Sequence, residues 1–250
     1  MLPFHQRLAE VGLAAIASYG FVLAGGYAIS ANGIGQRPSD DVDLFTNNPD
    51  PDRFGEAADK LRLALRADGL QVVDQRIRPT FVELQVADFV AGLSSEIQLG
   101  LDYRTHPPAQ LAVGPVLDVR DAVGGKMSAL WSRGEARDFI DIDAVVESGR
   151  FSREQVLAIA DQVETIPLDR AMLAARFREA GRHPKQLFTR YGVEPARRDQ
   201  IGARFADWAS QVDPKLPGEA TYETVTPPPV VAPGRDLPDP GPGQDKGIGL

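Results

Sequence analysis

The 250-residue chain contains no cysteine, which excludes disulfides and thiolate zinc sites. It has only three histidines, His5, His106 and His183, widely separated in sequence, so a histidine-rich metal site is not expected either. Any metal would be held by carboxylate oxygens, the donors of hard ions such as magnesium or manganese. The N-terminal MLPFHQRLAE lacks the basic start and apolar core of a secretory signal, and the expected location is cytoplasmic. Residues 11–36 carry no charge, yet they include six glycines together with Ser18, Ser30 and Asn32. That mixture suits a buried helix, strand, turn and helix better than a lipid-facing helix, and no membrane partner is expected.

What is present is enough apolar material, 43% of residues, for a sizeable core. The net charge of −8 is unevenly spread: residues 1–169 carry −10, residues 170–204 carry +6, and residues 205–250 carry −4. A basic segment behind an acidic body suggests an anionic partner at one end of the molecule. Residues 213–250 contain nine prolines and six glycines with almost no apolar periodicity, so a disordered tail is expected there.

The apolar spacing predicts a helix over 3–19 ending at Gly20 and a short strand over 21–24. A Gly25-Gly26 turn into a short helix comes next, then a strand opening at Asp41. An amphipathic helix over 50–67 is followed by three strand-like runs at 70–77, 81–87 and 96–102. Strands joined this closely are most easily antiparallel, which predicts a mixed sheet in an α+β or α/β domain. Residues 103–117 read as loop. From Asp118 a single long helical pattern runs to Gly149, with further helices over 152–164, 168–181, 184–191 and 195–211. The expected organisation is an α/β core over 1–117, a helical subdomain over 118–212 and the tail over 213–250.

Three Asp-x-Asp pairs occur, at Asp41/Asp43, Asp50/Asp52 and Asp141/Asp143. Asp50 and Asp52 flank Pro51 at a helix start, where acids favour the positive end of the helix dipole. Asp41 and Asp43 differ because they open a strand behind a polar loop. Alternation places both on one face, roughly 6.6 Å apart along the strand at about 3.3 Å per residue. Gly25 and Gly26 let backbone amides approach a phosphate, Ser39 adds a hydroxyl donor and Arg37 a cation. The competing reading is a glycine turn for tight packing, with aspartates that cap the next element.

On one continuous helix, Lys126, Arg133 and Arg137 would share a face suited to a triphosphate, or form a row of solvated charges. Asp138 and Asp141, three apart, would sit near that row. The basic stretch 170–204 interleaves nine arginines and lysines with Phe177, Phe188 and Tyr191. Such a pattern suits RNA, through phosphates and stacked bases, or a helical subdomain with aromatic core and solvated arginines.

The order of apolar strand, Gly25-Gly26 and Arg37-x-Ser39-x-Asp41-x-Asp43 resembles the signature of polymerase-β-type nucleotidyltransferases. More narrowly it resembles the AbiEii/AbiGii toxin branch, whose second signature is similar to the stretch from Lys126 through Ala129-Leu130, Arg133 and Glu135 to Arg137-Asp138-Phe139-Ile140-Asp141. The resemblance implies a magnesium- or manganese-dependent transfer of a nucleoside monophosphate from an NTP to an acceptor. It implies RNA as acceptor, with the tRNA 3′ end as the specific case, and a cognate antitoxin as a possible partner. Asp41 and Asp43 would be catalytic metal ligands, and Lys126 with Asp138 or Asp141 would act with them. Gly25, Gly26, Arg37, Ser39, Arg133 and Arg137 would bind the nucleotide. The third metal carboxylate usual in the superfamily would come from the strand over 96–102, where Asp102 is favoured over Glu96 and Gln98 lies between them. Alternatives are a small-molecule acceptor, or a non-catalytic nucleotide- or RNA-binding protein of the same fold.

Overall fold

The computed structural model describes residues 1–213, which belong to one compact unit, Met1–Leu216. The tail expected over 213–250 lies, beyond Asp213, outside the described residues. Helix α1 (Pro3–Ile16) starts on a proline that has no amide hydrogen to leave unsatisfied, and a 3-10 turn over Ala17–Tyr19 ends at Gly20 in the left-handed region. Strand β1 (Val22–Leu23), helix α2 (Gly25–Ala31) and strand β2 (Asp41–Thr46) follow. Helix α3 (Pro51–Ala67) is capped by the Asp50 carboxylate, which accepts from the amides of Asp52 and Arg53. The antiparallel run β3 (Gln71–Arg78), β4 (Phe81–Asp88) and β5 (Leu93–Leu101) completes this half.

The sheet is mixed, as the short connections imply. Its order is β3-β4-β5-β2-β1-β7-β6, with β5 parallel to β2 and β1 antiparallel to β2. The last two strands correct the loop expected over 103–117, because β6 (Ala109–Leu111) and β7 (Gly114–Val116) form a hairpin whose second arm lies parallel to β1. Three-residue strands are too short to show alternation, and prolines at 107, 108 and 115 argue against strand on sequence alone.

Val42 and Leu44 point from β2 into the core beneath α1 and are fully buried. The approach is close: a Cβ on Gly12 of α1 would lie 2.7 Å from Leu44 Cδ1. Asp41, Asp43 and Phe45 take the opposite face by alternation and line a cavity.

Every element described from Val119 onward is a helix. The single helix expected to reach Gly149 is two, α4 (Val119–Ser132) and α5 (Ala136–Glu147). The break falls at Gly134, with φ of 60°, followed by a capping box between Glu135 and Asp138. Lys126, Arg133 and Arg137 therefore do not share one helical face; the turn at Gly134 brings them to one wall. Helices α6 (Arg153–Val163), α7 (Arg170–Arg178), α8 (Lys185–Thr189) and α9 (Pro195–Val212) follow the expected spans to within a few residues. Phe139, Phe177, Phe205 and Trp208 pack edge to face, tilted or stacked, with centroids 4.6 to 5.8 Å apart, and join α5, α7 and α9.

The α4 and α6 packing yields a sharp test on two adjacent glycines. A Cβ on Gly124 would lie 2.4 Å from Val163 Cγ2, whereas one on Gly125 meets nothing within 4 Å. Gly124→Ala should destabilise the protein by about 1–3 kcal/mol through overpacking, and Gly125→Ala should stabilise it by up to about 1 kcal/mol through helix propensity. Urea unfolding of the two variants checks both signs.

Candidate active site

Ten residues singled out from the sequence line one cavity of about 760 Å³: Gly25, Gly26, Arg37, Ser39, Asp41, Asp43, Asp102, Lys126, Arg133 and Arg137. They come from the start of α2, the loop into β2, the first turn of β2, the end of β5, and the α4 and α5 pair. Segments remote in the chain thus converge because β2 is central in the sheet and α4 packs against α2.

Glycine is needed at position 25 for two separate reasons. Its φ is 59°, a left-handed value, and a Cβ there would sit 1.7 Å from Asp43 Oδ2. At Gly26 a Cβ would lie 2.9 Å from Arg37 Nη2 and 3.2 Å from Ser39 Oγ. The glycine pair is thus the ledge on which the Asp43 carboxylate and the Arg37 guanidinium rest.

Asp41 and Asp43 carry unequal surroundings. The Ser39 hydroxyl donates to Asp41 Oδ1 at 3.1 Å, and Arg137 Nη1 approaches Asp41 Oδ2 at 3.9 Å. Burial pushes the Asp43 carboxyl up from an ordinary 3.8 to about 7, and the neighbouring Asp41 charge adds to the rise. Lys126, Arg137 and Arg133 pull in the opposite direction without cancelling it.

Asp138 and Asp141, expected to act in the chemistry, do not line the cavity. They are buried behind it and hold the residues that do. Asp141 accepts from Arg37 Nε and Nη2, both at 2.6 Å, and from Lys126 Nζ at 2.9 Å. Burial alone would raise the Asp141 carboxyl; the Lys126 ammonium and the Arg37 guanidinium more than offset that and hold it below the usual carboxylate range. Asp138 takes Arg133 by two contacts of 2.9 Å and accepts from the Glu135 amide at 3.2 Å. One carboxylate thereby caps α5 and fixes an arginine.

Asp102 lines the cavity, but its carboxylate is engaged by Arg104 at 2.6 and 2.8 Å. Glu96 pairs with Asp41 in the β2–β5 register and does not line the cavity. The residue opposite Asp43 in that register is Gln98, an amide that does line it. Among the described residues no group of three His, Cys, Asp or Glu side chains comes together as a metal cage. Two adjacent carboxylates, one buried with its charge uncompensated, nevertheless suit a hard divalent cation. Gln98 brings an uncharged amide to the strand position beside Asp43.

Two features had no clear sequence signal. Asp40, beside the Asp-x-Asp pair, accepts from Arg190 Nη2 and the Tyr191 hydroxyl, each at 2.7 Å, so the loop after α8 clamps the entrance to β2. Burial, then the Asp40 charge, push the Tyr191 phenol up to about 12. Residues 162–165, the end of α6 and the two residues after it, also line the cavity. A clamp over 150 residues, and a wall from a helix end whose place depends on what the helix packs against, leave no local pattern to read.

In the basic segment the rings are core, as the helical-subdomain reading has it, but five of its arginines are paired with acids and not simply solvated. Phe177, Phe188 and Tyr191 are buried core residues. Arg170, Arg176, Arg190, Arg197 and Arg204 are engaged by Asp161, Glu179, Asp40, Asp143 and again Asp143. A stacking surface is therefore not formed by those rings.

The profile of the family described as "Nucleotidyl transferase AbiEii toxin, Type IV TA system" matches residues 12–227. The chain belongs to this family. It is a nucleotidyltransferase by that membership. Among solved structures, one assigned as a nucleotidyltransferase from H. pylori superposes with a TM-score of 0.54 at 12% identity, over 85% of this chain and 95% of that one. JHP933 from Helicobacter pylori aligns with a TM-score of 0.49 at 15% identity, over 85% of this chain and 92% of that one. The antibiotic-resistance factor ANT(2'')-Ia gives 0.45 at 15%, over 73% of this chain and all of that one. The first supports the fold. No curated protein matches the chain. Among the described residues of this AbiEii-family chain, no helix is long and apolar enough to cross a membrane.

The Asp43 environment predicts a pH signature in the metal-free protein. A carboxyl whose folded pKa lies above its unfolded one takes up a proton on folding, so its contribution to stability falls as pH rises from about 4 to 7. In EDTA, Asp43→Asn should melt above the parent at pH 8 and no higher at pH 4. Scanning calorimetry at the two pH values checks this.

Proposed function

We propose that the protein is a divalent-metal-dependent toxin that transfers a nucleoside monophosphate from an NTP to RNA, the tRNA 3′ end being the specific acceptor. The observation that carries the transfer reading is the convergence of Asp41 and Asp43 with the glycine ledge and three cations in one cavity. The RNA and toxin parts of the reading are supported by membership in the toxin family. A magnesium or manganese ion held by Asp41 and Asp43 would activate the acceptor hydroxyl and neutralise charge on the departing pyrophosphate.

The chain's own residues do the positioning. Gly25 and Gly26 keep side chains out of the space where the phosphates meet the carboxylates. Lys126, Arg133 and Arg137 present positive charge to the triphosphate from the wall opposite β2. Asp141 and Asp138 are positioning residues: each holds a cation at a fixed place on that wall, so that little reorganisation is needed when the substrate arrives. Ser39 orients Asp41 through its hydroxyl.

The reading is tested by incubating the purified protein with labelled NTPs, magnesium and total RNA. Wild type should label RNA, and Asp41→Ala/Asp43→Ala should abolish labelling, a loss of at least roughly a thousandfold for removal of a metal-binding pair. No transfer to RNA by wild type would sink the acceptor assignment; transfer that survives the double substitution would sink the site. A second prediction concerns Gln98. Placing an acid there, as Gln98→Asp, adds a charged oxygen beside Asp43 and should tighten manganese binding on the order of tenfold. Titration followed by electron paramagnetic resonance reads that affinity directly.

A further inference from the structure

The cavity lining is mixed: beside Asp41, Asp43 and the cations it includes the apolar side chains of Phe45, Leu101, Leu117, Ala122 and Val163. Tyr103 belongs to the cavity wall, and its side chain is left in water: the residue is 82% exposed.

The backbone that carries this ring is fixed on both sides. Before it, the Asp102 amide donates to Thr46 O at 2.9 Å, and the Asp102 carboxylate holds Arg104 at 2.6 and 2.8 Å. Arg104 also donates to Phe45 O at 2.9 Å, and its side chain is only 6% exposed. After it, the buried Asp121 carboxylate accepts from the Thr105 amide and hydroxyl at 3.1 and 3.0 Å, and from the His106 amide at 2.9 Å. Asp102 and the buried Asp121 thus anchor a five-residue turn to the end of β2 and to α4, with an aromatic ring in it.

A solvated loop does not need such anchoring, and a core tyrosine would not be left outside. A ring carried on an anchored backbone at a cavity with apolar side chains in its wall is suited to a flat π-system entering there. The rings of the basic segment are core and cannot serve that purpose. Phe89, the other strongly exposed ring among the described residues, lies at the β4–β5 turn and does not line this cavity.

We propose that Tyr103 stacks on a nucleobase in the cavity and is a binding contact of this site. The inference rests on the nucleotidyl-transfer reading. The base has two sources of the same chemistry, the incoming NTP and the terminal nucleotide of the RNA acceptor. Stacking needs the ring and not the hydroxyl, so phenylalanine should replace tyrosine and alanine should not.

The test compares wild type, Tyr103→Phe and Tyr103→Ala. NTP binding is measured by calorimetry with calcium in place of magnesium, and KM values for NTP and for total tRNA are measured by label transfer. Because the side chain is exposed, the three proteins should melt at the same temperature. Tyr103→Ala should weaken one ligand by roughly tenfold, the size of one base–aromatic stack, and Tyr103→Phe should stay within about twofold of wild type. A loss in NTP affinity assigns the ring to the incoming base, and a loss confined to the tRNA KM assigns it to the acceptor; either supports the proposal. Alanine indistinguishable from wild type on both ligands overturns it, as does phenylalanine as weak as alanine. Wild type that neither binds an NTP nor transfers label overturns the transfer reading together with this inference.

Discussion

The Asp141 carboxylate is the interaction on which the site depends. It lies on α5, takes Arg37 from the loop before β2 with both oxygens, and takes Lys126 from α4. Three segments that are separate in sequence are thereby tied at one buried point. Burying a carboxylate costs several kcal/mol unless it is paired and hydrogen-bonded, and two cations satisfy this one. The pairing also runs in the other direction: with Asp141 in place, Arg37 and Lys126 are fixed toward the cavity instead of sampling rotamers in water. Asp138 repeats the arrangement one turn earlier with Arg133.

Against this compensated background the Asp41 and Asp43 pair stands out. Every other buried acid named here faces a guanidinium, an ammonium or amide hydrogens, whereas Asp43 faces another carboxylate and a glycine with no side chain. A folded protein retains such an uncompensated charge where something outside the chain completes it. Lys126, Arg137 and Arg133 offset that charge only in part, and they are placed to meet a polyanion.

Much of this was legible in the sequence, and the parts that were not have identifiable causes. The long elements α1, α3, β2, β4 and α9 are read from period and caps because each buries one face and exposes another. The Gly25-Gly26 and Asp41-x-Asp43 pairing is legible because glycine and alternating acids at a strand mouth are costly in any structural role. The β6–β7 hairpin was hidden by its length and its prolines. The break at Gly134 was written in the sequence as a glycine followed by an E-x-x-D box, but the flanking charges continue the helical pattern across it. Much of the ion pairing in the 170–204 segment was invisible because partners such as Asp40, Asp143 and Asp161 lie outside it. Composition records that the arginines exist and carries no record of what they touch. The engagement of Asp102 by Arg104, two residues on, is of the same kind.

The clamp of Arg190 and Tyr191 on Asp40 has a consequence for how the protein comes into being. A ribosome delivers β2 early, but the acids that orient the cavity's cations emerge only with α5, and the residues that hold the mouth of β2 follow about fifty positions later. An N-terminal fragment ending at the sheet would carry Asp41 and Asp43 and none of the opposite wall. The nascent chain therefore lacks the complete cavity until translation has passed Tyr191, by which point nearly all of the folded unit has been made.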